Sequence, residues 1–480
     1  MHEMQTPCSP RATHCCTAFR CGGLGVAAVH QRRAPTSSVH AQEGNVSVDR
    51  YLPQRERLLT SSRPLPDFEA VGSDGPWLHL ADGRRILDGS SGLLCVNVGQ
   101  GSPAVFSRIE KQFSRYSFGG AAVVQPHIQL ELMDRLCRAV GRPEDSVALT
   151  TCGTLGVEVA VGLARNIVRV RDGKRRAEIL TSNLSYHGNS VFTLGVAGNQ
   201  IRNPRPEDRC GLGPAFPAPY PPTHGHAHEG HSCDASCAGE VARAIDSRGA
   251  ENVAAVLIEP VNGTTGGAFV PPGGYLRRVA EICRKRNVLV IHDEVLTGLW
   301  RTGTPLASRH WDGCEPDLVI LSKGLGAGYT GIGAVLVAPE LAPLLRHKDA
   351  DPLPAMGTMA THPLQAAACL GVLDELEAMD HAETFAARGE RLGVALRALT
   401  GCAPVRDVRG IGHLYGVEVA PGLLWPLMQQ CERRGVFFYP FTGAGEPRSE
   451  GLVVAPPLTC DSQDIDFLTG ALTDAVTALS

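Results

Sequence analysis

Five short runs of apolar and β-branched residues recur along the chain, at 147–149, 254–258, 288–291, 318–321 and 334–337. None alternates with polar residues, and all are shorter than an average helix, so each reads as a strand covered on both faces. Between the second and third runs, residues 275–286 carry Leu276, Val279, Ile282 and Cys283 at helical spacing. That completes a β-α-β unit, whose crossover is expected to be right-handed. Such units predict an α/β protein with a mostly parallel central sheet. With 480 residues there is room for two or three domains.

The rest of the chain frames this middle. After Thr361 the pattern turns helical through Leu370, Leu373, Leu376 and Leu392, followed by an α+β portion, a hairpin-like stretch at 443–457 and a helix from Asp461. Residues 203–237, rich in Pro, Gly and His, read as a long surface loop. The first 45 residues hold Arg11, Arg20, Arg32 and Arg33 but only Glu3 as an acid before Glu43. An over-extended start or a disordered tail is preferred there to a targeting peptide.

Charge narrows the function. The net charge of −4 comes with no basic stripe, which argues against a nucleic-acid partner. No apolar stretch approaches the roughly twenty residues that span a membrane, so no membrane partner is expected. The sixteen cysteines are scattered, many of them singly inside apolar segments, as in proteins of a reducing compartment; a cytoplasmic location is expected.

The chemistry gathers at strand ends. Glu259 follows the 254–258 run, Asp293 and Glu294 follow 288–291, and Lys323 follows 318–321. Ligands of an open parallel sheet bind beyond the carboxyl ends of its strands, so these side chains are expected around one crevice. Burial lowers a lysine pKa and makes it a candidate Schiff-base nucleophile. Any one of these charges alone is more simply a structural ion. The glycine-rich 324–328 directly after Lys323 shifts that balance, because glycine lets backbone approach a ligand closely. Upstream, strand 147–149 runs through Thr150-Thr151-Cys152-Gly153-Thr154 into a helix. The amides and dipole at that helix start suit a phosphate, with the Thr154 hydroxyl as a further donor.

These residues lie in longer motifs: Ile258-Glu259-Pro260-Val261, Pro271-Pro272-Gly273-Gly274-Tyr275-Leu276, 292–303 from His292-Asp293-Glu294-Val295 onward, and Ser322-Lys323-Gly324-Leu325-Gly326-Ala327-Gly328-Tyr329. With 88–93, Ser185-Tyr186-His187-Gly188-Asn189, Gly357-Thr358 through His362-Pro363, and Ala455-Pro456-Pro457, they keep one order over about residues 50–480. This arrangement resembles the class III (ω-type) aminotransferases, pyridoxal-phosphate-dependent enzymes of fold type I. The resemblance implies a large cofactor-binding domain at 103–370 and a smaller α+β domain from both chain ends, 46–102 and 371–480. It implies a homodimer with shared active sites, acting on a small amine or amino acid and a keto acid. Lys323 is then the catalytic residue, forming the Schiff base with pyridoxal 5'-phosphate and moving the proton. Asp293 pairs with the pyridine nitrogen, Val295 and Tyr186 cover the ring faces, and Gly153 and Thr154 hold the phosphate. Thr358 reaches the neighbouring subunit's cofactor, and Glu259 and His187 support the site from behind.

Several positions depart from the family pattern. The phosphate turn commonly reads Gly-Ser-Glu-Ala, whereas here it is Gly153-Thr154-Leu155-Gly156. Leu94 replaces a tryptophan frequent in amine-accepting members. The positions that usually carry a carboxylate-binding arginine fall on Tyr439 and Val453, the glutamate that masks it falls on Thr264, and Arg448 is the nearest substitute. The tract His224, His226, His228, His231, Cys233, Cys237 matches no ordered zinc spacing, so no metal is expected. The leading expectation is a transaminase moving an amino group from an ω-amine or amino acid to a keto acid. The alternatives are an epimerase, mutase or decarboxylating enzyme with the same cofactor, a degenerate binding protein, or a metal-dependent enzyme.

Overall fold

All five apolar runs become strands of one seven-stranded sheet in the computed structural model, which describes residues 69–119, 127–198, 213–220, 233–352, 357–379, 385–443 and 449–480. The expectations for residues 1–45, His224, His226, His228, His231 and Arg448 lie outside these described residues.

In chain order, a meander of β1 (Ala70–Asp74), β2 (Trp77–Leu80) and β3 (Arg85–Asp88) leads to helices α1 (Pro103–Phe113) and α2 (His127–Ala139). Next come β4 (Ser146–Thr150), α3 (Gly153–Asp172), β5 (Glu178–Ser182), α4 (Val191–Val196), β6 (Gly213–Phe216) and α5 (Gly239–Arg248). The strands β7 (Val253–Ile258), β8 (Leu289–Asp293), β9 (Leu318–Leu321) and β10 (Gly333–Val337) follow, with α6 (Tyr275–Lys285) between β7 and β8. The C-terminal part comprises α7 (Pro363–Ala378), α8 (Ala386–Arg397), β11 (Val405–Ile411), β12 (Leu414–Val419), α9 (Leu424–Arg433), β13 (Val436–Phe437), β14 (Tyr439–Thr442), β15 (Glu450–Val454) and α10 (Ser462–Thr477).

The large sheet has the order β4-β10-β9-β8-β7-β5-β6. From β9 to β6 every pairing is parallel, while β10 runs antiparallel to both β9 and β4. The mostly parallel expectation therefore holds with one inversion. The short link 322–332 between β9 and β10 has no room for a crossover helix, so the chain turns straight back.

Every residue of β7, β8, β9 and β10 is buried. One face is covered by α3, whose Val157, Val161, Ala164 and Val168 pack with Leu289, Ile291 and Ile320. On the other, α5 and α6 bring Val241, Ile245, Leu276 and Val279 against Val256 and Val290. Burial on both faces is what the continuous apolar runs require, and Leu, Val and Ile side chains each contribute about 1.5–3 kcal/mol when fully buried.

The expectation of an unstructured loop at 203–237 needs correction. Gly213–Phe216 pairs in parallel with β5 as the edge strand, and Ala235–Ala238 forms a 3-10 turn. Pro214 is tolerated because an edge strand has one side free of the ladder. Of two smaller sheets, β1-β2-β3-β13 draws on both ends of the chain and β11-β12-β15-β14 on the C-terminal part.

Candidate active site

The phosphate-turn geometry begins where β4 ends. Cys152, in extended conformation, is the N-cap of α3, and its Sγ accepts from Leu155 N–H at 3.5 Å. The helix runs for 20 residues to Gly173, which closes it in the left-handed region at φ 68°. Its first turn carries no acid, so apart from the Cys152 cap on Leu155 N–H the positive dipole end meets no acidic side chain of that turn. Gly153 and Thr154 form this start. A Cβ on Gly153 would stand 2.9 Å from Val295 Cγ1, and one on Gly188 (φ +129°) would stand 2.6 Å from Thr154 Oγ1. Backbone is brought to the cradle where no side chain fits.

The strand-end residues converge through register. Ile258 pairs with His292, and Asp293 with Ile320, so Glu259, Asp293 and Lys323 all stand at the carboxyl ends of adjacent parallel strands, Lys323 three residues beyond the partner of Asp293. Asp293, only 5% exposed, accepts from His187 Nδ1–H at Oδ2 (2.8 Å) and from Val295 N–H at Oδ1 (3.0 Å). Glu259 accepts from Tyr186 N–H (3.1 Å), Asn262 Nδ2 (2.8 Å) and Gly263 N–H (3.1 Å). Burial pushes its carboxyl up to about 7, against the pull of nearby His187; the Asp293 charge pushes the same way as burial. Lys323 sits at φ 33°, in the left-handed region that side chains avoid. Such strain persists only where the surroundings enforce it.

These groups enclose a cavity of about 240 Å³ lined by Gly153, Thr154, Tyr186, Asp293, Val295 and Lys323, with His187 and Glu259 in the same wall. Pyridoxal phosphate fits this donor set on three counts. A buried carboxylate such as Asp293 needs a cationic partner, which a protonated pyridine supplies. The start of α3 suits a phosphate dianion. Lys323 is the lysine in the cavity wall, placed for the aldehyde.

Three of the residues singled out from sequence stand elsewhere. Leu94 is buried in an apolar cluster with Val261, Leu296, Phe441 and Val453, against which Tyr439 packs. Thr358 is exposed at the head of a 3-10 turn, Thr358–Thr361. Sequence reasoning gave no role to Cys152, Leu296, Thr297 and Ser322, which also line the cavity. Each lies within two residues of one already singled out, and that proximity was the available signal. Arg301, wholly buried, was likewise given no role.

Comparison with known proteins bears on the same assignment. The family model for class III aminotransferases matches residues 61–476. An uncharacterized aminotransferase of Bacillus subtilis, YodT, is 28% identical over 440 residues, covering 88% of this chain and 96% of its own. An omega-aminotransferase of Caulobacter vibrioides is 29% identical over 408 residues, covering 82% and 90%. Among solved structures, an (S)-enantioselective omega-transaminase from Thermomicrobium roseum superimposes with a TM-score of 0.79 at 30% identity, covering 90% of this chain and 99% of that one. A Bacillus anthracis aminotransferase gives 0.82 at 25% identity, covering 90% and 98%. With a lysine, a buried aspartate and a helix start around one cavity, and a family model spanning nearly all of the described fold, this chain belongs to the class III aminotransferases, fold-type I enzymes that transaminate with pyridoxal phosphate.

Proposed function

We propose that Lys323 holds the cofactor and moves the proton in a transamination from an ω-amine or amino acid to a keto acid. The observation that carries this reading is the convergence of Lys323, Asp293, Val295, Tyr186, Gly153 and Thr154 on one cavity. When bound, pyridoxal phosphate supplies an electron sink for the pair left on the substrate carbon. Asp293, fixed from both sides by His187 and Val295 N–H, keeps the pyridine nitrogen protonated. The amides of Gly153 and Thr154 and the Thr154 hydroxyl hold the phosphate. Val295 and Tyr186 sandwich the ring and exclude water from its faces. With the cofactor bound, Lys323 Nζ would move the proton between the amine-bearing carbon of the substrate and the cofactor side. Glu259 acts through Tyr186, whose backbone it anchors.

The apolar wall formed by Leu94, Val453 and Tyr439 meets the cavity through Leu296. On one row of the C-terminal sheet, Arg409 pairs with Gly416, Gly416 with Val453, and Val453 with Tyr439. The two positions nearest Leu94 thus carry no guanidinium. Arg409 in the same row is held by Asp407 (2.7 Å), Glu418 (2.8 Å) and the Gly266 carbonyl (2.8 Å). A carboxylate clamp needs a guanidinium fork, so this wall supports a donor whose arm is uncharged.

A homodimer is part of the same reading. Phe106 and Phe113 on α1, Leu130 on α2 and Met359 beside Thr358 are each at least two-fifths exposed. Large apolar side chains left in solvent on neighbouring elements mark an interaction surface. Thr358 would cross that surface to the partner's phosphate. The reading also carries a cytoplasmic location, supported by described cysteines that are all free. It carries, too, a large domain at 103–370 with a small domain from 46–102 and 371–480, which the separate sheets support.

The test is visible absorption of the holoenzyme during single additions of amines and amino acids without acceptor. Conversion to the pyridoxamine form by uncharged amines, and its absence in Lys323→Ala, is the expected result. A cofactor band that no donor converts would instead favour the epimerase, mutase or decarboxylase alternative.

A further inference from the structure

The glycine-rich turn after Lys323 is packed against another segment of the chain. Ser322 and Lys323 line the cavity, and none of residues 324–328 does. A Cβ on Gly324 would stand 2.3 Å from Asn97 Nδ2 and 2.8 Å from its Cγ, and one on Gly328 would stand 3.0 Å from Val96 Cγ2. One residue on, Tyr329 Oη donates to the Gly99 carbonyl (2.9 Å) and accepts from Ser102 N–H (2.8 Å). Segment 96–102, between β3 and α1, is therefore laid along 324–329, and Gly324 and Gly328 give room to that segment, not to a ligand. Gly324 sits in a 3-10 turn, Lys323–Leu325, outside the left-handed region. Its backbone would accept another residue; what excludes a side chain there is the Asn97 amide.

Asn97 is held in place on every side. It is buried, its Oδ1 accepts from Arg301 Nη2 (2.8 Å), its Nδ2 donates to the Leu299 carbonyl (3.2 Å), and its own carbonyl accepts from Leu458 N–H (2.7 Å). A buried amide with partners at both ends cannot rotate without leaving one of them unpaired, which is costly. The amide is thus a fixed stop against Gly324. Lys323, one residue earlier, stands at φ 33°. The turn is closed from within by Leu325 N–H to the Ser322 carbonyl (2.7 Å) and Ala327 N–H to the Lys323 carbonyl (2.8 Å). A left-handed lysine relaxes unless its neighbours forbid it. Relaxation would turn the Cα–Cβ bond and carry the whole side chain with it.

We propose that Asn97 is a positioning residue for the reaction: by bearing on Gly324 it keeps Lys323 in the strained conformation that directs Nζ to the cofactor aldehyde. The inference rests on Lys323 as the lysine that holds the cofactor. Asn97 does not line the cavity and acts only through that lysine. Arg301 belongs to the same device, since its guanidinium orients the amide. A misplacement of about 1 Å at a reacting atom can lower a rate by about 100-fold, so fixing one backbone torsion of the lysine has a direct chemical effect.

The experiment titrates the full-length apoprotein by calorimetry with pyridoxal phosphate and, in parallel, with pyridoxamine phosphate, which has the same ring and phosphate but no aldehyde for the lysine. Asn97→Ala should weaken pyridoxal phosphate by about 10-fold, the lower end of what strain at such a residue represents, and leave pyridoxamine phosphate unchanged. Gly324→Ala, whose Cβ meets the amide, should show the same split. The double variant should bind pyridoxal phosphate more tightly than Gly324→Ala alone, because the Cβ then enters space that the amide has left. A merely structural role would weaken both ligands together. Equal weakening of both ligands, an unchanged affinity for pyridoxal phosphate, or no recovery in the double variant each overturns the proposal. If Asn97→Ala does not fold, Gly324→Ala alone decides between a split and equal weakening. Lys323→Ala serves as the reference: wild-type affinity for pyridoxal phosphate in that variant would refute the Lys323 reading itself, an outcome separate from any seen at Asn97 or Gly324.

Discussion

Replacing Thr154 by valine isolates the phosphate-binding reading, because it exchanges one hydroxyl for a methyl of the same shape. Thr154 Oγ1 lies in a tight place, 2.6 Å from where a Cβ on Gly188 would stand, so shape must be kept if only chemistry is to be tested. A neutral donor to a charged acceptor contributes about 1.5–3 kcal/mol. At about 1.4 kcal/mol per decade, Thr154→Val should raise the dissociation constant of pyridoxal phosphate by about 10- to 100-fold. Binding is not abolished, since the leading amides of α3 and Lys323 remain. The assay is a titration of apoprotein, followed by the visible band, with pyridoxal phosphate and in parallel with pyridoxal. Pyridoxal has no phosphate, so its affinity should not change, and Thr154→Ser should restore the wild-type value for both ligands. Equal weakening for both ligands would mean that the substitution has only disturbed the cavity. An unchanged affinity for the phosphorylated ligand would refute the role of the hydroxyl outright.

Three further outcomes are expected. Cys152 is exposed and lines the cofactor cavity, so iodoacetamide should label it in apoprotein and not in holoenzyme. Labelling at equal rates would place the cofactor elsewhere. Glu259, partly buried, has its folded value raised from 4.5 to about 7 by loss of solvation. The native state thus keeps a proton that the unfolded state has lost, and stability falls as pH rises from about 4.5 to about 7. The contribution of this group is on the order of 3 kcal/mol, so the thermal midpoint of Glu259→Gln should depend less on pH across that window; an unchanged slope would sink the assignment. Finally, Phe113→Asp changes an exposed residue, and light scattering should read one chain in place of two if α1 faces the partner; an undisturbed dimer moves the interface elsewhere.

How much of this was legible in the sequence depends on burial. The strands β7, β8 and β9 stood out because a strand covered on both faces must be apolar throughout, and their terminal charges stood out because nothing else in the run is polar. The reverse holds for β1, whose residues are all exposed, and for β6, where Pro and Gly hide an edge strand. Neither carries a pattern that a sequence window can weigh. The inversion at β10 was open to inference from the short 322–332 link, but apolar composition says nothing of strand direction. Tyr439 and Leu94 were chosen by resemblance, and the structure adds that they share a cluster with Val453, a contact across more than 300 positions that no local pattern contains.

Arg301 shows why the site as a whole could not be assembled from its motif. In sequence nothing around Arg301 marks it as a core residue, yet it is wholly buried. Its guanidinium donates to Ser91 Oγ (2.9 Å), Asn97 Oδ1 (2.8 Å), and the carbonyls of Pro456 (2.6 Å) and His413 (3.4 Å). Burial lowers its pKa to about 10, and Asp88 opposes that fall as the nearest named carboxylate charge. An uncompensated buried charge is destabilising unless its donors are used. The loop that follows Asp293 is therefore tied at once to the segment after β3, to the turn before β12 and to the segment after β15. Leu299 and Trp300, just before Arg301, are held at φ 54° and 63°. Such a conformation survives only where several long-range contacts enforce it. The position of Asp293 and Val295 is thus set partly by both ends of the fold, which is information distributed over the chain rather than written in any one segment.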